Sequence, residues 1–265
     1  MIEAITLDFG NTLVPVSAAG LRGVVVETAD AMAGRLGPFE AAEVLRAWAE
    51  ERERQFREEV PQFREVDLAQ RISRILARLR GMAPPSSRER WDDEAAAALC
   101  DPTEVAWAVE VYSRGFVAAL PPAPEASALL ERLAPRYRLA ILSNWPLAAT
   151  IDRYVEAAGW TPHLAAVVVS QRVGTVKPHP AIFAAARTAL GDPAPAAILH
   201  VGDDWAADIV GAKRAGWQAA YLASRPADSP LPGSDRDGAV TPDLELATLA
   251  DLEPGLAGLE AAARG

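Results

Sequence analysis

A strand at the start of the chain, a long run of helical spacing after it, and strand–helix alternation over the second half predict an α/β protein. Short apolar strands alternating with helices build a parallel sheet covered on both faces. Residues 2–7, Ile-Glu-Ala-Ile-Thr-Leu, supply the first strand, which ends at Asp8. From there to about residue 120 the apolar positions keep a helical period. Leu45, Trp48, Arg52 and Phe56 fall at that spacing, with Arg52 at the edge of the stripe. Leu68, Ile72, Ile75, Leu76 and Leu79 make a cleaner stripe, and Val105, Val109, Tyr112 and Phe116 a third. The run Glu50-Glu51-Arg52-Glu53-Arg54 reads as a solvated helix face with paired charges. The stretch 81–87 and Pro121-Pro122-Ala123-Pro124 punctuate the region.

Beyond residue 124 the period changes. Residues 124–134 read as a helix, 139–142 as a buried strand, and 146–158 as a helix closed by Gly159. A short strand at 167–169 precedes a helix at 180–190 that ends at Gly191. Then come a strand at 198–201, a helix at 206–215 closed by Gly216, and a strand at 219–222. Residues 224–242, rich in Pro, Gly and Asp, are a loop, and the Ala/Leu-rich tail adds a last strand and helix. The expected layout is a core of residues 1–14 and 121–265, with a helical insertion over 15–120. In such sheets ligands bind beyond the carboxyl ends of the strands. Asp8, Ser143, Asp203 and the loop 170–177 all follow strands, so they are expected to meet at one edge.

Composition narrows the function classes. A formal net charge of −10 disfavours nonspecific binding to nucleic acid or to anionic membranes. Cys100 is the only cysteine, which excludes an intrachain disulfide and a zinc–thiolate cluster. Met1-Ile2-Glu3-Ala4 lacks the basic lead of a signal peptide, and no apolar run is long enough to span a membrane. A cytoplasmic protein is the expectation; oligomeric state stays open.

Four short segments carry chemistry. Asp8 leads Asp8-Phe9-Gly10-Asn11-Thr12, where Gly10-Asn11 supplies a tight turn. A carboxylate at a strand end can attack phosphorus, although alone it is more commonly a turn cap. Ser143-Asn144 offers a hydroxyl and an amide donor for a phosphate oxygen, or a helix cap before Pro146. Lys177 enters a helix N-terminus through Lys177-Pro178, where a cation is unfavourable unless something negative is near. That points to a lysine neutralising phosphate or Asp8. Gly202-Asp203-Asp204 follows a strand, with Asp208 five residues after Asp203. Several carboxylates there repel one another unless a cation such as Mg²⁺ compensates. Asp203 is the expected ligand and Asp208 a supporting one, while Asp204 caps the next helix. His200 on its apolar strand, His179 between prolines, and Trp145 and Trp205 read as structural residues.

In this order and strand context the four segments resemble the haloacid dehalogenase superfamily of hydrolases, which is dominated by phosphatases. The resemblance runs from Asp8 to Asp208, and the α/β frame extends it over most of the chain. It implies a Rossmann-like core and a mobile helical cap, here residues 15–120, closing over the cleft. It also implies Asp8 as nucleophile, Ser143 and Lys177 as phosphate contacts, and a Mg²⁺ held by Asp8, Asp203 and the Gly10 carbonyl. The substrate class is a small phosphorylated metabolite, with Asn11 and Asn144 as further substrate contacts. The family usually places a second Asp two residues after the nucleophile, as general acid and base. Here that residue is Gly10, which keeps a carbonyl but has no proton to give. General acid–base catalysis is worth about 10²–10⁴ in rate, so the loss is serious without abolishing turnover.

Gly10 keeps two other readings open. A 2-haloacid dehalogenase uses the same nucleophile and needs no acid, because halide leaves unprotonated; the acidic pair Asp203 and Asp208 speaks against it. A phosphate- and metal-binding protein with little or no turnover is the second.

Overall fold

In the computed structural model, which describes residues 1–86, 89–238 and 240–262, six parallel strands form one sheet. They are β1 (Ala4–Leu7), β2 (Arg138–Ser143), β3 (Ala166–Val169), β4 (Ile198–Gly202), β5 (Gln218–Leu222) and β6 (Leu244–Leu246). Their spatial order is β3-β2-β1-β4-β5-β6. Leu7 of β1 pairs with Ile141 on one side and Val201 on the other. The chain moves outward through β2 and β3, then returns to the far side of β1 for β4, β5 and β6. Strand order thus reverses at β1, and open α/β sheets bind ligands beyond the carboxyl ends at such a reversal. β1 and β4 are buried throughout, as near-continuous apolar strands with covered faces should be. Thr6 and His200 interrupt the apolar run, and they pair directly across the two strands.

The chain divides into two compact units, one of Met1–Ala18 with Leu120–Gly265 and one of Ala19–Ala119. The second contains most of α1 (Ala18–Leu36), with α2 (Ala41–Arg54), α3 (Leu68–Leu79), α4 (Asp93–Ala98) and α5 (Pro102–Ala119). In α3, Leu68, Ile72, Ile75 and Leu76 are buried on the expected face. In α2 the buried face is Val44, Ala47, Trp48 and Glu51, offset from the stripe expected through Leu45, Arg52 and Phe56. The solvated reading of the 50–54 run is also corrected at Glu51. Its carboxylate is buried and accepts from Trp91 Nε1 at 2.7 Å and Arg78 Nη1 at 2.8 Å. Partners from α3 and from the segment before α4 decide this burial, and no local window reveals them.

The first unit adds α6 (Ala126–Leu133), α7 (Ala148–Ala157), α8 (Ser170–Val173), α9 (Pro180–Ala189), α10 (Gly211–Arg214) and α11 (Leu252–Ala262). The predicted helix over 206–215 begins as a π-helical run, Trp205–Val210, before α10. Gly159, Gly191 and Gly216 close their helices at φ of +72°, +81° and +77°, left-handed values that glycine adopts without strain. Leu142, Phe183, Ile198, Trp205, Ile209 and Trp217 pack together beneath the helices. The last residue of the 81–87 stretch, Ser87, and Ala239 of the 224–242 loop lie outside the described residues. No described helix is long and apolar enough to cross a membrane.

Candidate active site

Asp8 follows β1, and its backbone N–H donates to Val201 of β4 at 2.8 Å, which extends the ladder by one residue. Lys177 reaches it from the loop after α8. All three protons of its ammonium are placed, on Asp8 Oδ1 at 2.7 Å, Asp208 Oδ1 at 2.6 Å and the Leu142 carbonyl at 2.8 Å. Asn144 fixes the backbone that carries this lysine. Its Oδ1 accepts from Lys177 N–H at 2.7 Å, and its Nδ2 donates to the Lys177 carbonyl at 3.1 Å. Asn144 therefore has a structural task, which uses its Oδ1 and one of its two Nδ2 protons. Ser143, at the end of β2, is buried, and no described residue hydrogen-bonds to its hydroxyl.

Asp208 sits deeper. Its Oδ1 also meets His200 Nε2 at 3.0 Å, and its Oδ2 accepts from Asp204 N–H at 2.9 Å. A carboxylate only accepts, so His200 carries its proton on Nε2, which leaves Nδ1 to accept from the Thr6 hydroxyl at 2.8 Å. His200 is thus a buried residue, as its strand pattern predicts, but with a polar task. Gly202 makes the arrangement possible: a Cβ there would lie 2.2 Å from Asp208 Cγ. Asp204 caps the following turn through Ala207 N–H at 2.8 Å.

Asp203 is held by two donors on one oxygen. Asn11 Nδ2 and Arg225 Nη1 reach its Oδ2 at 3.2 and 3.1 Å. Asn11 adopts φ of +59°, a turn value that asparagine tolerates, and its Oδ1 accepts from Val16 N–H at 3.1 Å. Sequence reasoning missed Arg225, Ser229 and Leu231. The one signal for Arg225 was its place three residues past the end of β5, the same strand-end rule that marks the other segments. Gly10 is buried, and a Cβ there would meet Leu231 Cδ1 at 2.6 Å and Trp145 at 3.6 Å. Trp145 and Trp205 are both buried in packing positions.

Carboxylate oxygens of Asp8, Asp203 and Asp208 lie within 4.8 Å of one another. Burial raises the Asp8 carboxyl, and Asp208 adds to this, while Lys177 pulls the other way without cancelling it. Burial, then Asp8 and Asp208, push Asp203 up to about 8. Burial opposes ionisation of Asp208 as well, but Lys177 and His200 outweigh it and hold that carboxyl below its usual range. For Lys177, burial alone would lower the ammonium, and Asp208 and Asp8 together raise it. The site therefore has one firm ion pair, Asp208 with Lys177, and two carboxyls left short of positive charge. Those two fit a hard divalent cation: oxygen donors only, in close spacing, each with one oxygen that no described residue engages.

An open parallel sheet with a buried acidic cluster at its strand reversal defines the class of molecule. The chain matches the family described as haloacid dehalogenase-like hydrolase over residues 2–216 and belongs to that family. Among curated proteins it is 27% identical over 121 residues to pyrimidine 5'-nucleotidase YjjG of Escherichia coli (strain K12). That match covers 46% of this chain and 53% of the relative, so the chain spans about half the length of that protein. Among solved structures, 2-haloacid dehalogenase from Pseudomonas syringae pv. Tomato DC3000 superposes with a TM-score of 0.68 at 24% identity, covering 97% of this chain and 99% of that one. The putative HAD-hydrolase YfnB from Bacillus subtilis, described bound to magnesium, has a TM-score of 0.58 at 16% identity, covering 96% and 97%.

Proposed function

We propose that this hydrolase is a Mg²⁺-dependent phosphohydrolase that acts on a small phosphorylated metabolite through an aspartyl-phosphate on Asp8. The observation that carries the reading is the setting of Asp8: Lys177 steers Oδ1, no described residue engages Oδ2, and the acidic partner Asp203 stands alongside. The likeness to a nucleotidase over half of its length supports hydrolysis of a phosphate group as the reaction class.

Asp8, Asp203 and the Gly10 carbonyl would hold the cation. Once bound, it would offset the crowded carboxylates and draw a phosphate dianion into the site. The chain's own residues then divide the work. Lys177 favours the ionised form of Asp8 and aims the carboxylate, and the Ser143 hydroxyl donates to a phosphoryl oxygen. Asp208, with His200 behind it, positions Lys177. The Asp8 carboxylate attacks phosphorus, the leaving group departs, and water later cleaves the acyl phosphate. No proton donor stands at position 10, so the leaving group must depart as an anion or take a proton from the substrate itself. Acyl phosphates, sugar 1-phosphates and aryl phosphates satisfy that condition.

Initial rates on p-nitrophenyl phosphate, acetyl phosphate, sugar phosphates and pyrimidine nucleoside monophosphates, with Mg²⁺ and with EDTA, test this. Turnover that falls with rising leaving-group pKa and vanishes with EDTA and in Asp8→Asn is expected. Phosphate and Mg²⁺ binding with all substrates inert would remove the phosphatase reading. A dehalogenase is the second reading, favoured by Gly10, because halide needs no acid. Chloride release from 2-chloropropionate in EDTA would establish it instead.

A further inference from the structure

Past β5 the chain folds back over the acidic cluster. Arg225 Nη1 donates to Asp203 Oδ2 at 3.1 Å, and Nη2 donates to the Leu231 carbonyl. The Ser229 hydroxyl donates to Asn11 Oδ1 at 3.1 Å and accepts from Asn11 Nδ2 at 3.0 Å. Leu231 occupies the space beside Gly10. The segment is tied down beyond these contacts as well. The Ser234 hydroxyl donates to Asp204 Oδ1 at 2.8 Å, and Trp205 Nε1 donates to Asp237 at 3.1 Å. Residues 223–237 thus form a strap seated on positions 10, 11 and 203, and nothing in the chemistry above requires it.

We propose that Arg225 is a resident counter-charge on Asp203 that competes with the divalent cation, so that loading the site breaks the Arg225–Asp203 pair. The inference rests on the metal reading of the preceding section. The two partners are unequally free: the Asp203 side chain is 4% exposed, whereas Arg225 is 24% exposed. The carboxylate is fixed by burial and by Asn11, and the guanidinium is the partner that reaches in from outside. A guanidinium and a divalent cation on one carboxylate repel each other and divide its charge. Lys177 is not the competitor, because its three protons are committed to Asp8, Asp208 and the Leu142 carbonyl. Arg225 can turn away from Asp203 and keep the Leu231 carbonyl, so release needs no unfolding of the strap. The consequence is a site in which Arg225 partly offsets Asp203 when empty and which binds its cation less tightly than the carboxylates alone would.

Calorimetric titration of Mg²⁺ into the metal-stripped full chain tests this without reference to turnover. Arg225→Gln is expected to bind Mg²⁺ about three- to tenfold more tightly than the wild type, the effect of removing one partly exposed charge pair. Arg225→Lys keeps the charge and should stay near the wild-type affinity. Equal or weaker binding by Arg225→Gln overturns the proposal, since a residue that merely positioned Asp203 would give that result. So does the absence of binding by both proteins. Asp203→Asn separates the two readings: wild-type affinity in that variant sinks the metal site itself. Lost affinity there, with Arg225→Gln unchanged, sinks only the competition.

Discussion

Lys177 is the residue on which the site balances, because it lies between two buried carboxylates and a carbonyl. Removing one partner of a buried ion pair costs about 3–5 kcal/mol, since the other charge stays buried and unpaired. Lys177→Met should therefore lower the urea midpoint of the apo protein and reduce kcat by about 10²–10³, as loss of an electrostatic donor does. Asn144→Ala leaves the ammonium intact but frees its backbone, with an expected loss of about 1–3 kcal/mol. Gly10 invites the complementary experiment. A side chain there meets Leu231 Cδ1 at 2.6 Å, the far end of a flexible residue. Gly10→Asp alone should add little, whereas Gly10→Asp with Leu231→Ala should raise kcat/KM on alkyl phosphates by about 10², within the range of an added general acid. Equal rates for the single and double variants would show that Leu231 is no obstacle.

Elements place these residues through strand order rather than through helix chemistry. β1 sits between β2 and β4, so the ends of those strands flank Asp8 with Ser143 and Asp203. The β4 end carries a stricter demand. Asp208 folds back against Gly202 from the π-helical run, which leaves no room for a side chain at 202. Gly202→Ala should displace Asp208 from both Lys177 and His200. Overpacking of this kind typically costs about 1–3 kcal/mol, readable as a lower Tm, and here activity should fall with it.

Across the whole molecule, the carboxyls set a pH dependence with two signs. Asp203 and Asp8 hold their protons more tightly in the folded chain than their ordinary value of 3.8 would allow, Asp203 up to about 8. Without cation, stability contributed at these sites is present below the ordinary value and lost as pH rises through the folded one. Asp208 is lowered, so its contribution is present above 3.8 and lost as pH falls below it. Added Mg²⁺ should reverse the first effect, raising Tm more at pH 8 than at pH 5. Cation uptake at pH 7 should release protons, seen as a titration heat that varies with buffer ionisation enthalpy. A cation-induced Tm shift independent of pH would contradict this.

Much of this was legible in the chain. Short apolar runs, followed by Asp8, Ser143, Ser170, Gly202 and Ala223, defined five of the strands, because covered parallel strands are near-continuously apolar. The same rule marked Asp8 and Ser143, which follow such runs directly, Asp203 one residue further on, and the loop 170–177 that carries Lys177. The sequence alone thereby determined a parallel α/β frame and the identity of its acidic cluster. Tertiary structure decided what those residues do to each other. That Asn144 clamps Lys177, that Asp208 serves the lysine, and that Arg225 and Leu231 come back over positions 203 and 10 all depend on contacts between remote stretches. Periodicity reports which face of an element is covered; it carries no record of which distant side chain covers it, and the electrostatics of a buried site belong to that second kind of information.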